Sequence, residues 1–308
     1  MQTRTPRIHF RASANPYPLE MIQQGTQTLN YLMTFPALTS WQVCKLLFLG
    51  KPNSRGEVRT NPETARRATN RSLRRLKDLG LVSVKPIARL DNPLTKWELN
   101  YLTPQGHRTL TDHRESHGLA TLPYQKPNLT YQTMNPHRMA IIDAGISAMA
   151  AASRAGITVD VWLDDLTIRS LSKRGQITWP MEPDFLLVLR YEDHREAFLG
   201  ELDMGTESVD SNRANSIASK LTNYKQYFTS MRANDPWLKD LPQPQVMLVA
   251  PSERRLESLK EATAKSGGRS AYWFTTSTLL EPPYSFMGEV WQRIGLDGYY
   301  SPAERFVS

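Results

Sequence analysis

The sequence predicts an α/β protein of the α+β type, with a small helical domain followed by a mixed sheet flanked by helices. Three observations predict this fold class. The length of 308 residues suits about two domains. Apolar residues recur at helical spacing in the first third of the chain, whereas strand-like runs alternate with helical segments beyond residue 136. A polar stretch containing Pro123 and Pro127 separates the two patterns. The predicted parts are an arm over 1–16, a first domain over 17–118, a linker over 119–135 and a second domain over 136–308.

The composition narrows the class of protein. Hydrophobic residues make up 40% and charged residues 22% of the chain, which is typical of a globular protein. The single cysteine, Cys44, excludes an internal disulfide and a thiolate metal cluster. No apolar run approaches the ~20 residues that cross a bilayer. We therefore expect a cytoplasmic protein without a membrane partner.

Charge is distributed unevenly along the chain. The formal net charge is +8, but residues 1–130 carry a net +11 and residues 131–308 a net −3. A basic first half joined to a mildly acidic second half indicates that the first half binds a polyanion. A solvated basic surface is the simpler alternative, and the clustering of the arginines argues against it.

The clustered arginines lie on one predicted helix. Asn61 is a suitable N-cap, Pro62 suits the first helical position, and Gly80 suits the residue after the helix end. Two helices precede this segment and two short strands follow it, which is the order of a winged helix-turn-helix, whose third helix enters the DNA major groove. We therefore predict double-stranded DNA as the partner. The predicted DNA contacts from the helix and the wing are Arg66, Arg67, Asn70, Arg71, Arg74, Arg89 and Lys96.

Acidic residues mark the second domain. Asp184 precedes one predicted strand. Glu201, seventeen residues later, and Asp203 lie at the end of the next predicted strand. Because side chains alternate along a strand, both should project from the same face. Three converging carboxylates suit Mg²⁺ or Mn²⁺, which would serve phosphodiester hydrolysis or transfer. On the following helix Lys220 and Tyr224 lie one turn apart. They complete the candidate catalytic set, with Tyr224 available to stack on a base or bind a phosphate.

These motifs carry a family resemblance. The order Pro-Asp, strand, Glu, then a helix with a polar residue four before a tyrosine resembles the PD-(D/E)xK phosphodiesterase superfamily. The segments PDFLLVL, FLGELDMGTES and KLTNYKQYF are similar to the replication-relaxation family of plasmid and mobile-element proteins, which is related to MobC-class relaxases. This resemblance implies a winged helix joined to a PD-(D/E)xK nuclease-like domain. The third motif position, usually lysine, is Asp203 here. The resemblance implies that Lys220, on the following helix, takes the place of that lysine.

Alternatives remain for the individual residues. Asp203 before Met204-Gly205 also suits a turn, Glu201 and Lys220 also suit a structural ion pair, and Asp184 also suits a strand entry. His137, at the start of a predicted helix, either contributes to the acidic site or is structural.

Three functions are compatible with these patterns. The first is metal-dependent nicking of a specific duplex site, in replication or mobilisation of a plasmid or mobile element. The second is a non-enzymatic replication accessory protein or transcriptional regulator with a degenerate nuclease fold. The third is a nuclease that makes double-strand breaks as a homodimer. Other replication or mobilisation proteins are further partners that the sequence leaves open.

Overall fold

The fold was analysed in a computed structural model of the full chain. The residues it describes are 19–49, 51, 60–88, 96–118, 124, 126–130, 134–205, 217–235, 237–281 and 285–304. The predicted arm over 1–16, most of the predicted linker, and Arg89 lie outside them. The chain divides into two compact units, Met1–Leu129 and Thr130–Ser308. No helix in the described ranges is both long and apolar enough to cross a membrane.

In its described residues the first unit combines four helices with a three-stranded antiparallel sheet of order β1-β3-β2. Its elements are α1 (Leu19–Thr34), β1 (Leu38–Thr39), α2 (Ser40–Leu47), α3 (Pro62–Asp78), β2 (Val82–Ala88), β3 (Lys96–Leu102) and α4 (Pro104–Ser116). Helix α2 begins at a capping box, because Thr39 and Gln42 each bind the other's backbone N–H group. Two helices before α3 and a two-stranded hairpin after it reproduce the predicted order of elements.

Helix α3 begins where its cap residue predicts. The Asn61 side chain accepts hydrogen bonds from the backbone N–H groups of Glu63 (2.9 Å) and Thr64 (3.3 Å). The chain leaves the helix through Gly80, whose φ of +70° favours glycine. One face of the helix is buried and consists of Ala65, Ala68, Thr69, Ser72, Leu73 and Leu76.

The second unit is built on a seven-stranded mixed sheet, which confirms the predicted α+β class. Its elements are α5 (Pro136–Arg154), β4 (Thr158–Asp164), α6 (Asp165–Lys173), β5 (Phe185–Arg190), β6 (Arg195–Leu202), α7 (Ile217–Gln226), β7 (Gln245–Ala250), α8 (Glu253–Lys265), β8 (Tyr272–Thr276), β9 (Trp291–Arg293) and β10 (Leu296–Tyr300). The strand order is β10-β9-β8-β7-β6-β5-β4. The pairs β6–β7 and β7–β8 are parallel, and the other pairs are antiparallel.

Two hydrophobic cores hold this sheet between helices. Alternate residues of β5 and β6, such as Leu186 and Leu199, pack with α7 and α8 on one face. The intervening residues, such as Leu187 and Phe198, pack with α5 on the other face. Strands β5 and β6 are therefore apolar on both faces. Polar residues can occur at the ends of these strands, outside the two cores.

Candidate active site and candidate nucleic-acid interface

Asp184 and Glu201 are brought together where β5 begins and β6 ends. Asp184 immediately precedes Phe185, which pairs with Gly200, the residue before Glu201. The backbone N–H of Asp184 donates to the Gly200 carbonyl (2.8 Å), and its Oδ2 accepts from the backbone N–H of Leu202 (2.7 Å). Asp184 is 6% exposed and Glu201 is 4% exposed. Two carboxyl groups are thus held side by side with little access to water.

Helix α7 contributes two partners to the Glu201 carboxyl group. The Lys220 Nζ lies 3.0 Å from Oε2, and the Tyr224 hydroxyl donates to Oε1 at 2.7 Å. Burial raises the pKa of Glu201 to about 7; the Lys220 charge opposes this rise and the Asp184 charge adds to it. Glu201 therefore takes up a proton near neutral pH, although a lysine lies beside it.

Tyr224 has a different role from the one predicted. Its ring is 1% exposed, and burial together with the Glu201 carboxylate raises the pKa of its hydroxyl group. A side chain this deeply buried, with its hydroxyl bound to Glu201, cannot stack on a base. In the folded protein Tyr224 positions the Glu201 carboxyl group.

His137 joins the site from the first turn of α5. Its Nε2 lies 3.2 Å from Asp184 Oδ2, and its side chain is 36% exposed. The hydrogen bond to Asp184 raises the pKa of His137, and burial opposes this rise. His137 is the most exposed of the groups around the two acids. The sequence pointed to it only through its place at a helix start.

Sequence reasoning missed a third acidic residue near the site and the arginine that neutralises it. Arg138, buried on α5, forms ion pairs with both Asp164 and Asp165 at the β4–α6 junction. Burial raises the pKa of Asp165, the Arg138 charge lowers it, and the Asp184 charge contributes to the rise. The one available signal was an Asp-Asp pair directly after a predicted strand.

Asp203 is engaged elsewhere. Its carboxylate pairs with Arg255 of α8, and its Oδ1 accepts from the backbone N–H of Gly205 (2.8 Å), where φ is +75°. This is the turn arrangement that was the alternative interpretation of the residue. Within the described ranges, no group of three or more His, Cys, Asp or Glu side chains is placed to hold a metal ion.

The described residues thus bring two carboxylates close together rather than the predicted three. Mg²⁺ is commonly held by one or two carboxylates, with waters and substrate phosphates completing its octahedron. Asp184 and Glu201 supply two such groups, and both already accept hydrogen bonds from the protein. The predicted ligation by Asp184, Glu201 and Asp203 together is not formed, because Arg255 pairs with Asp203.

In the first unit, α3 presents a basic face to solvent. All five predicted contacts on this helix are exposed, and the buried residues lie on the opposite side. These five are Arg66, Arg67, Asn70, Arg71 and Arg74. Lys96, at the start of β3, is also exposed and pairs with Ala88 at the far end of the hairpin. The predicted wing residue Arg89 lies outside the described residues.

The replication-relaxation family model matches residues 29–237, about two thirds of the chain. The chain belongs to the replication-relaxation family. The match spans α3 as well as Asp184, Glu201 and Lys220, so the basic helix and the acidic site both lie inside the family region. A search of curated protein sequences found no match.

Solved structures similar to this chain include two of the restriction endonuclease FokI, one of them bound to DNA. Sequence identity is 10% in both cases, and each match covers 85% of this chain. The matches cover 69% and 68% of the FokI chains, with TM-scores of 0.24 and 0.25. Similarity at this level carries no argument about activity.

Proposed function

We propose that this family member is a cytoplasmic, double-stranded DNA-binding protein of a plasmid or mobile element, acting in replication, relaxation or mobilisation. In this proposal the first unit is a winged helix-turn-helix, and α3 enters the major groove. The second unit is a PD-(D/E)xK-like domain that acts on the bound DNA.

The exposed basic face of α3 is the observation that carries the proposal. Ala65, Ala68 and Leu76 anchor one side of the helix in the core, so its arginines are held outward on a rigid element. Arginine and asparagine are the side chains that read guanine and adenine through paired hydrogen bonds. In this proposal the hairpin is the wing, and the exposed Lys96 on it contacts the phosphate backbone.

Binding of a duplex at several salt concentrations tests this function. Arg71→Ala and Arg74→Ala should each weaken binding and reduce the slope of log K against log salt by about 1, because one phosphate neutralisation is lost. Arg108→Ala is the matched control, since it removes an exposed arginine from α4. Affinities and slopes that do not change in either α3 variant would contradict the assignment of α3.

For the second unit, we propose metal-dependent nicking at the pair Asp184 and Glu201. These two residues would hold Mg²⁺ or Mn²⁺, which offsets negative charge developing on a phosphodiester. Lys220 supplies a positive charge beside Glu201. His137 hydrogen-bonds to Asp184 and helps to hold it in place. Its side chain is more exposed than that of Asp184. In this proposal hydrolysis or transfer takes place at a phosphate that lies against His137, Asp184 and Glu201.

A specific observation favours the alternative, a non-enzymatic protein with a degenerate nuclease fold. Lys220 already neutralises Glu201, and Arg255 already neutralises Asp203, so the acids are satisfied without a metal. Nicking of supercoiled plasmid carrying the cognate site, with Mg²⁺ or Mn²⁺, decides between the two. Loss of nicking in Glu201→Gln, with DNA binding and Asp203→Asn activity retained, supports the enzyme. No nicking by the wild-type protein with either metal supports the alternative.

A further inference from the structure

One exposed arginine of α3 is paired with an acid on the same helix. Arg67 Nε lies 3.2 Å from Glu63 Oε1, and the two side chains are 73% and 60% exposed. No other hydrogen bond of this guanidinium is found within the described part of the chain. The contact uses the inner nitrogen, so among the described residues neither terminal nitrogen of this guanidinium has a hydrogen-bond partner.

This arrangement distinguishes Arg67 from the other arginines on the basic face. Four positions before Arg66, Arg71 and Arg74 the sequence has proline, arginine and asparagine, so Arg67 alone has an acid four positions earlier. Glu63 is three positions before Arg66, but its carboxylate pairs with Arg67. The backbone of Glu63 is fixed, because the Asn61 side chain caps its N–H group. The pair lies in the N-terminal half of the helix, the part of a recognition helix that reaches base edges.

The charge of Glu63 does not help general DNA binding. A carboxylate on the DNA-facing side of a helix repels phosphates and so weakens binding to any duplex. An exposed Glu–Arg pair also stabilises a helix only slightly. Two other effects favour the pair. The Glu63 carboxylate lies near the positive N-terminus of α3. The contact also restricts the Arg67 guanidinium, whose terminal nitrogens in a fixed plane match guanine O6 and N7.

We infer that Glu63 is a positioning residue that orients Arg67 for paired hydrogen bonds to one guanine in the major groove. This inference rests on the proposed function, since it requires α3 to be the helix that reads the duplex. Glu63 then sets sequence preference while lowering the affinity for DNA in general.

Selection from a randomised duplex library tests the inference, followed by Kd measurements on the selected duplex and its single-base variants. The full-length wild-type protein should select a site with one G·C pair that depends on Arg67. Glu63→Gln should lose roughly 5- to 100-fold of preference at that pair. The same variant should bind unselected duplex more tightly than wild type does. Arg67→Ala should lose preference at the same pair, and the double variant should lose no more.

Asp78→Asn is the matched control, because it removes one exposed negative charge from the other end of α3. It should bind unselected duplex more tightly and keep the wild-type preference. Wild-type preference in Glu63→Gln would overturn the inference. So would a loss at a base pair different from that of Arg67→Ala, or an equal loss on all duplexes.

The failure of the inference and the failure of the proposed function give different results. If Arg71→Ala weakens binding while Glu63→Gln keeps the wild-type preference, only the role of Glu63 is wrong. If Arg67→Ala and Arg71→Ala bind every duplex as wild type does, α3 is not the DNA-binding helix and both fail. Circular dichroism and thermal unfolding of each variant show whether α3 has remained folded.

Discussion

The Tyr224 hydroxyl donates a 2.7 Å hydrogen bond to Oε1 of Glu201, and both groups are almost completely buried. With Lys220 on the second oxygen, all three polar groups are satisfied inside the domain. A buried carboxyl group held in this way responds to pH, to removal of its donors and to changes in the strands that position it.

The first prediction concerns pH. The pKa of Glu201 is raised from 4.5 in the unfolded chain to about 7 in the folded protein, chiefly by burial. The folded state therefore binds more protons between these values, and stability falls as pH rises from about 4.5 to 7. Glu201 should lower the free energy of unfolding by about 3 kcal/mol across this range, at ~1.4 kcal/mol per pKa unit. Urea unfolding across this range should show the fall in wild type.

Glu201→Gln provides the comparison for this prediction. The amide keeps an acceptor for Tyr224 and does not titrate, so the variant should lack the fall that Glu201 causes. A free energy of unfolding that declines equally in wild type and variant would mean that the decline comes from other groups.

The second prediction concerns Tyr224→Phe. Removal of the hydroxyl leaves one oxygen of a buried carboxyl group without its donor, so the variant should lose about 1–3 kcal/mol of stability. The pKa of Glu201 should rise further, since this hydrogen bond lowers it. Tyr272→Phe is the control, because Tyr272 is also buried and its hydroxyl makes no hydrogen bond to another described residue. Similar losses in both variants would show that the bond to Glu201 contributes little.

The third prediction concerns Arg138. Its ion pairs with Asp164 and Asp165 are buried, so Arg138→Ala leaves two acids without their partner and should cost about 3–5 kcal/mol. Arg169→Ala should change stability by less than about 0.5 kcal/mol, because its pair with Glu182 is exposed. Guanidinium chloride unfolding measures both. A loss in Arg138→Ala as small as in Arg169→Ala would mean that the buried acids are neutralised by protonation.

Much of the fold was predictable because local signals were strong. Asn61 and Pro62 mark the start of α3, and the apolar runs over 185–190 and 245–250 form strands β5 and β7. The acid pair was equally accessible, since Asp184 and Glu201 flank strands that pair as a hairpin. Each of these features depends on residues close together in sequence.

The remaining features depend on packing between distant segments. The link from Arg138 to Asp165 joins the start of α5 to the start of α6, 27 residues away, and no periodicity encodes it. Strand alternation predicts that Asp203 lies on the same face as Glu201. The partner of Asp203 is Arg255 on α8, which the alternation does not predict. Helix α7 ends at Gln226, and the chain continues into a π-helical turn over Tyr227–Met231. Tyr227 in that turn donates to the buried Asp235.

The last prediction concerns Gly200, which brings β5 and β6 into register beside the acid pair. A Cβ atom added at this position would lie 2.0 Å from the ring of Phe185, which is itself stacked on Trp162. Because neither ring can move without disturbing the α5 core, Gly200→Ala should cost about 1–3 kcal/mol or more. It should also displace Asp184, whose backbone N–H binds the Gly200 carbonyl.

Gly25→Ala is the control for this prediction. A Cβ atom there meets Leu76 at an ordinary 3.6 Å, and alanine favours the α1 helix by about 0.5–1 kcal/mol. Thermal unfolding should therefore show a lower melting temperature for Gly200→Ala and a higher one for Gly25→Ala than for wild type. A Gly200→Ala protein as stable as wild type would contradict this prediction, because it would show that the Phe185 ring can move. Close packing at Gly200 would then not be what fixes the position of Asp184.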